Sequence, residues 1–162
     1  MNSLIVRLSR PIFNVPADWY AIPLRLIVGY GFMEHGYAKL ARGSDSFVHI
    51  LAALGVPMPE AMVWATILVE LFGGLAVLLG LFIPLASAPM IAVLLVAIVT
   101  VHLPNGFSSI KLESVTAAGA HFGQPGYETD LIYIAALVAF IAGPEASYIT
   151  GASLTVDGGT NA

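Results

Sequence analysis

Two cations, two carboxylates and two histidines stand in segments that are otherwise apolar. WYAIPLRLIVGYGFMEHGYAKL, from Trp19 to Leu40, carries Arg25, Glu34, His35 and Lys39. Glu70 is the only charge in AMVWATILVELFGGLAVLLGLF, and His102 ends the next apolar run. A charged side chain at the centre of a bilayer costs at least ~2.5–3.5 kcal/mol on insertion scales, so these groups should face other helices or a wet cavity. Arginine and lysine offer fixed donors to a small anion or a quinone head group, and a carboxylate or imidazole can relay protons. The candidate polar site is therefore Arg25, Lys39 and Glu70, with His35 and His102 at its rim. In a competing reading Arg25 pairs with Glu70 and locks the helices together. In a third, each charge snorkels separately to the interface.

The helical repeat says how such a site would be held. At 100° per residue, Arg25, Gly29, Phe32, Gly36 and Lys39 fall within roughly 80° of arc. Glu34 lies opposite Arg25, which suits an interface or subunit contact better than the same site. On the next span Thr66, Glu70, Gly73, Gly74 and Val77 share a face. Gly29, Gly36, Gly73 and Gly74 are expected where helices touch, because small residues let backbones approach. Paired His35 and His102 could in principle ligate haem or a metal, but no fixed spacing supports this, and no metal is expected.

Four spans follow from the apolar runs: about 19–40, 61–82, 86–103 and a shorter one from Thr129 or Asp130 to about Gly143. Ile83-Pro84-Leu85 reads as a tight turn between spans two and three. After span one, Phe47, Ile50, Leu51 and Leu54 recur at i, i+3, i+4, i+7, which predicts a short interfacial helix. Ser44 or Asp45 can cap it and Gly55 can end it. His49 falls near its polar side. Residues 104–128 form the longest polar stretch, expected as a hairpin folded over the mouth of the bundle. Glu128 there should anchor span four, with a minor case for a place at the mouth. Residues 1–18 read as a surface lead-in without a cleaved signal peptide. The membrane domain is 19–143, and 144–162 is a Gly-, Ser- and Thr-rich tail that is not membrane.

The totals agree. Of 162 residues, 58% are hydrophobic and only 10% charged, against about 25% charged in soluble domains. Six Lys+Arg and ten Asp+Glu could not clothe a water-facing surface. The net charge of −4 gives no footprint for nucleic acid. With no cysteine, the chain has no thiolate chemistry of its own. An even number of spans puts both termini on one side. Arg7 and Arg10 argue for the cytoplasm, nearly balanced by Lys39, Arg42 and Lys111.

From Ala21 to about Ala142 the chain resembles the DoxX family of small bacterial membrane proteins. The matching residues are Arg25 and Gly29, HGYAKL with Gly36 and Lys39, LGVP at 54–57, Glu70 with Gly73-Gly74, and Gly80. HLPNGFSSIKL and PGYE at 125–128 also fit. The resemblance implies an all-α bundle of four transmembrane helices in the bacterial inner membrane. It also implies a loose link to thiosulfate:quinone oxidoreduction or to membrane complexes that handle oxidative stress, with quinone as the cofactor to consider. Partners would be the lipid bilayer and either a soluble redox enzyme or further copies of the chain. Solute transport and a non-catalytic scaffold remain alternatives. The tail, FIAGPEASYITGASLTVDGGTNA, resembles the end of a short-chain dehydrogenase. That family's glycine-rich loop and its Tyr-x-x-x-Lys pair are absent, so no dehydrogenase activity is expected.

Overall fold

The computed structural model describes residues 21–143. The lead-in and the tail lie outside the described residues, as does Trp19. The elements in order are α1 (Ala21–Ala41), α2 (Ser44–Ala53), α3 (Pro59–Leu79), α4 (Ile83–Asn105), strands β1 (Leu112–Thr116) and β2 (Gly119–Phe122), and α5 (Glu128–Ala142).

Two helices, α3 and α4, are long and apolar enough to cross a membrane. Only 33% and 28% of their most apolar windows are buried. A core helix of a water-soluble protein would be mostly covered, whereas here Phe72, Leu79, Leu85 and Val99 stand on the outside. Such a continuous apolar exterior needs lipid rather than water around it. Helix α1 has comparable length but carries Arg25, Glu34 and Lys39, and α5 has 15 residues.

The centre of the bundle is one cluster from four helices. Val28 and Phe32 of α1, Val77 of α3, Met90 and Leu94 of α4, and Leu137 and Phe140 of α5 meet there. Helices α1 and α3 cross where both lack side chains. A Cβ on Gly29 would lie 2.8 Å from the Gly74 carbonyl oxygen, and one on Gly74 would lie 2.7 Å from the Gly29 carbonyl oxygen. Gly36 faces Leu71 and the Glu70 Cβ. Gly73, although adjacent to Gly74, faces Met90 of α4. Tyr133 brings α5 to α1, stacking on Phe32 with centroids 5.8 Å apart and its hydroxyl against Gly31.

Neither α3 nor α4 is regular throughout. Val69–Gly73 and Ile98–His102 are π-helical turns. A π-turn inserts one residue and rotates the following face, and such turns recur at functional sites. No feature of the sequence announced them.

Several local expectations change. Helix α2 starts after Gly43, at φ 87°, with no side-chain cap from Ser44 or Asp45. Its end is as expected: Gly55 at φ 73° donates to the Ala52 carbonyl and Val56 to the Leu51 carbonyl, a Schellman closure. Its inner ridge is Phe47, Val48 and Leu51, packed on Val63 and Ile67 of α3, while Ile50 and Leu54 point outward. The turn between α3 and α4 is Gly80-Leu81-Phe82, not Ile83-Pro84-Leu85. Gly80 takes φ 74°, and Pro84 sits in the first turn of α4, where a missing N–H costs nothing.

The hairpin exists, but it does not lie over the bundle. Both strands are exposed along their whole length. At its root, Ser109 caps α5 from outside the helix. The Ser109 hydroxyl accepts from the Thr129 N–H at 3.1 Å, and the Ser109 N–H donates to Glu128 at 2.9 Å.

Candidate functional site

The bundle has two unlike ends. One holds the C-terminus of α1, helix α2, the end of α4, the hairpin root and the start of α5. The other holds the Gly80 turn. Every polar contact between helices described below lies toward the first end.

Lys39 sits near the last turn of α1, and its ammonium reaches back along the bundle to Glu70. Nζ lies 2.7 Å from Oε1 and 2.6 Å from Oε2. Glu70 is on the π-turn of α3 and its side chain is only 6% exposed, against 19% for Lys39. Gly36, one helical turn before Lys39, gives the room: a Cβ there would press on Leu71 and Glu70. The Lys39 ammonium also donates to the His35 carbonyl at 3.4 Å and stands 5.0 Å from the centre of the Phe47 ring. A charge on each side of one contact, both sheltered by helices, avoids exposing either to hydrocarbon.

Beside this pair is a half-open depression of about 230 Å³. It is lined by His35, Ala38, Lys39, Arg42, Ser46, Phe47 and Ile50, and its walls are mostly apolar.

A second pair joins α4 to α5. His102 Nδ1 is in hydrogen-bond contact with the Asp130 carboxylate. His102 is again on a π-turn, and Asp130 is buried in the first turn of α5. With Nδ1 engaged by the carboxylate, Nε2 is the ring nitrogen left for another partner.

The sequence-derived residues therefore separate. Lys39 and Glu70 come together, with His35 beside them. The pairing of Arg25 with Glu70 is overturned: Lys39 takes the carboxylate. Arg25 packs its guanidinium against Gly80 at the other end, with Nη1 2.7 Å from where a Gly80 Cβ would be. The 14 residues from Arg25 to Lys39 correspond to about 21 Å of helix rise. The stripe was real, but one stripe runs the length of the helix and need not serve one site. His102 is held by Asp130 rather than standing at the rim of the Lys39 depression. In the sequence Asp130 is no more than a possible start of span four, and nothing in a separation of 28 residues across a loop links it to His102. Glu34 is exposed, away from both pairs. Glu128 anchors the hairpin root through Ser109. Among the described residues no group of three His, Asp or Glu comes together as a metal site.

No curated protein and no solved structure matches the chain. The DoxX family model matches residues 21–103. That stretch runs from the first residue of α1 almost to the end of α4, so it contains both partners of the Lys39–Glu70 contact and both apolar helices long enough to span. A match over half the chain, on helices whose exteriors require lipid, makes this a membrane protein of the DoxX family.

Proposed function

We propose that this chain is a four-span protein of the bacterial inner membrane, built on residues 19–143 with cytoplasmic termini. In this reading it binds a quinone-like head group as part of a membrane redox system. The observation that carries the reading is the Lys39–Glu70 contact beside a largely apolar depression at one end of the bundle. The apolar wall of Phe47 and Ile50 suits a ring and tail arriving from lipid. Lys39 would turn the N–H that it gives the His35 carbonyl toward a carbonyl oxygen of the ring, with Glu70 fixing the ammonium. The protons that quinone reduction consumes would come from the water at this end of the bundle. Electrons would come from a donor such as thiosulfate or from a soluble redox partner.

Solute transport fits less well. It needs a polar path from end to end. Between Arg25 and Lys39 the interior is Val28, Phe32, Val77, Met90 and Leu137, all closely packed. A scaffold that recruits a soluble redox enzyme is the remaining alternative.

Purified protein in lipid nanodiscs, titrated with a short-tailed benzoquinone, tests this. Saturable binding that Lys39→Met weakens at least tenfold supports the reading, and a thiosulfate-dependent fall in quinone absorbance would extend it to catalysis. Equal partitioning into protein-free nanodiscs would contradict it. Tracer flux into liposomes, with no quinone binding, would favour transport. A soluble enzyme co-purifying with protein that binds no quinone would favour the scaffold.

A further inference from the structure

The hairpin is the part of the described chain that the proposed site leaves unused. Its register holds information that alternation alone would miss. Leu112 pairs with Phe122, Ser114 with His121, Val115 with Ala120 and Thr116 with Gly119, with a bulge between Leu112 and Ser114. Directly paired residues share a face, and successive residues alternate. Ser114, His121, Thr116 and Gly119 therefore occupy one face, and the Thr116 hydroxyl lies 3.4 Å from His121 Nε2 across it. Val115, Ala120 and Phe122 occupy the other. Without the bulge Leu112 would share the polar face with Ser114. The extra residue, Glu113, puts it opposite Phe122 on the apolar one.

The result is a ribbon with one face made of Leu112, Val115, Ala120 and Phe122, and no charge on that face. Leu112 is 59%, Val115 71% and Phe122 61% exposed. An uncovered apolar face of this kind signals a contact the isolated chain does not show.

The surroundings say what covers it. The ribbon is rooted between the end of α4 and the start of α5. Its root therefore sits at the bilayer boundary, an inference that rests on reading both helices as spans. Leu103, Phe107 and Ile110, the residues leading from α4 into β1, are themselves exposed and apolar. They continue the lipid-facing exterior of the bundle along the chain to Leu112. Lys111 stands at the same junction, where lipid phosphates lie.

We infer that the hairpin is a membrane-surface anchor, with Leu112, Val115 and Phe122 seated in the interfacial layer of the bilayer and Ser114, Thr116 and His121 turned to water.

The absence of cysteine makes the test direct. Single Val115→Cys, Ser114→Cys and Leu95→Cys variants are spin-labelled and placed in nanodiscs that hold one copy each, in phosphatidylcholine–phosphatidylglycerol. Leu95 is an exposed residue in the middle of α4 and serves as the span control. Collisions with oxygen and with a water-soluble nickel chelate give each label's depth. The label at 115 is expected to favour oxygen over nickel by at least threefold relative to the label at 114. Equal nickel access at 114 and 115 would overturn it. So would protection at 115 that appears only when two copies share a disc, which would make the face a self-association surface. If the label at 95 is itself open to nickel, the span reading fails instead.

Discussion

Lys39 Nζ touches both carboxylate oxygens of Glu70, and the two side chains are not equally enclosed. Glu70 is held at 6% exposure in the middle of α3, whereas Lys39 keeps 19% and hangs from the last turn of α1. A lysine at that position has an escape, since its stem can turn and carry the ammonium to the interface. A carboxylate on the π-turn has none.

Removing either partner should therefore have unequal effects. Lys39→Met leaves Glu70 buried and alone, and should destabilise the bundle by about 3–5 kcal/mol. Glu70→Gln lets Lys39 snorkel and should cost clearly less. Thermal denaturation in one detergent, followed by loss of the monodisperse species, measures both. Equal losses would mean that the two groups are equally free to relax.

The glycines should also rank. Gly74→Ala directs its new Cβ at backbone, the Gly29 carbonyl, and Gly29→Ala meets the Gly74 carbonyl. Neither obstacle can turn aside, so the helices must separate, at about 1–3 kcal/mol. Gly73→Ala meets the Met90 side chain, with Sδ at 2.9 Å, and a thioether has rotamers to spare. The expected order of thermal stability is wild type, then Gly73→Ala, then Gly29→Ala and Gly74→Ala. A Gly73→Ala protein less stable than Gly74→Ala would show that α3–α4 packing, not the α1–α3 crossing, is the tighter contact.

Much of this arrangement could be read in the residues before any coordinates. The positions of Gly29, Gly36 and Gly74 along a helical repeat announced a close crossing, and the lone charge in span two announced a sheltered partner. The identity of that partner was not legible. Arg25 and Lys39 lie on one stripe, and choosing between them depends on the register of α1 against α3. That register is fixed by where the glycine backbones meet. The hairpin's two-faced character was hidden for a similar reason, since a bulge shifts the phase of one strand and leaves no mark in the alternation of types. The π-turns that carry Glu70 and His102 were equally invisible, because they are a consequence of packing and not of local preference.

Asp130 offers a check on the second pair. Asp130→Asn keeps an acceptor for the His102 ring and should retain most of the stability, whereas Asp130→Ala strands the imidazole and should cost about 1–3 kcal/mol. Hydrogen exchange at the first turn of α5 should rise in the alanine variant only. Matching exchange in the two variants would mean that the hydrogen bond does not hold α5 to α4.

The most direct measurement is a double-mutant cycle on the thermal stability of the bundle, with Lys39→Met, Glu70→Gln and both together. Strong coupling is expected, with the double variant more stable than Lys39→Met alone and the departure from additivity above about 1 kcal/mol. Additivity within about 0.3–0.5 kcal/mol would contradict it, because it would mean that the two charges do not share one shelter.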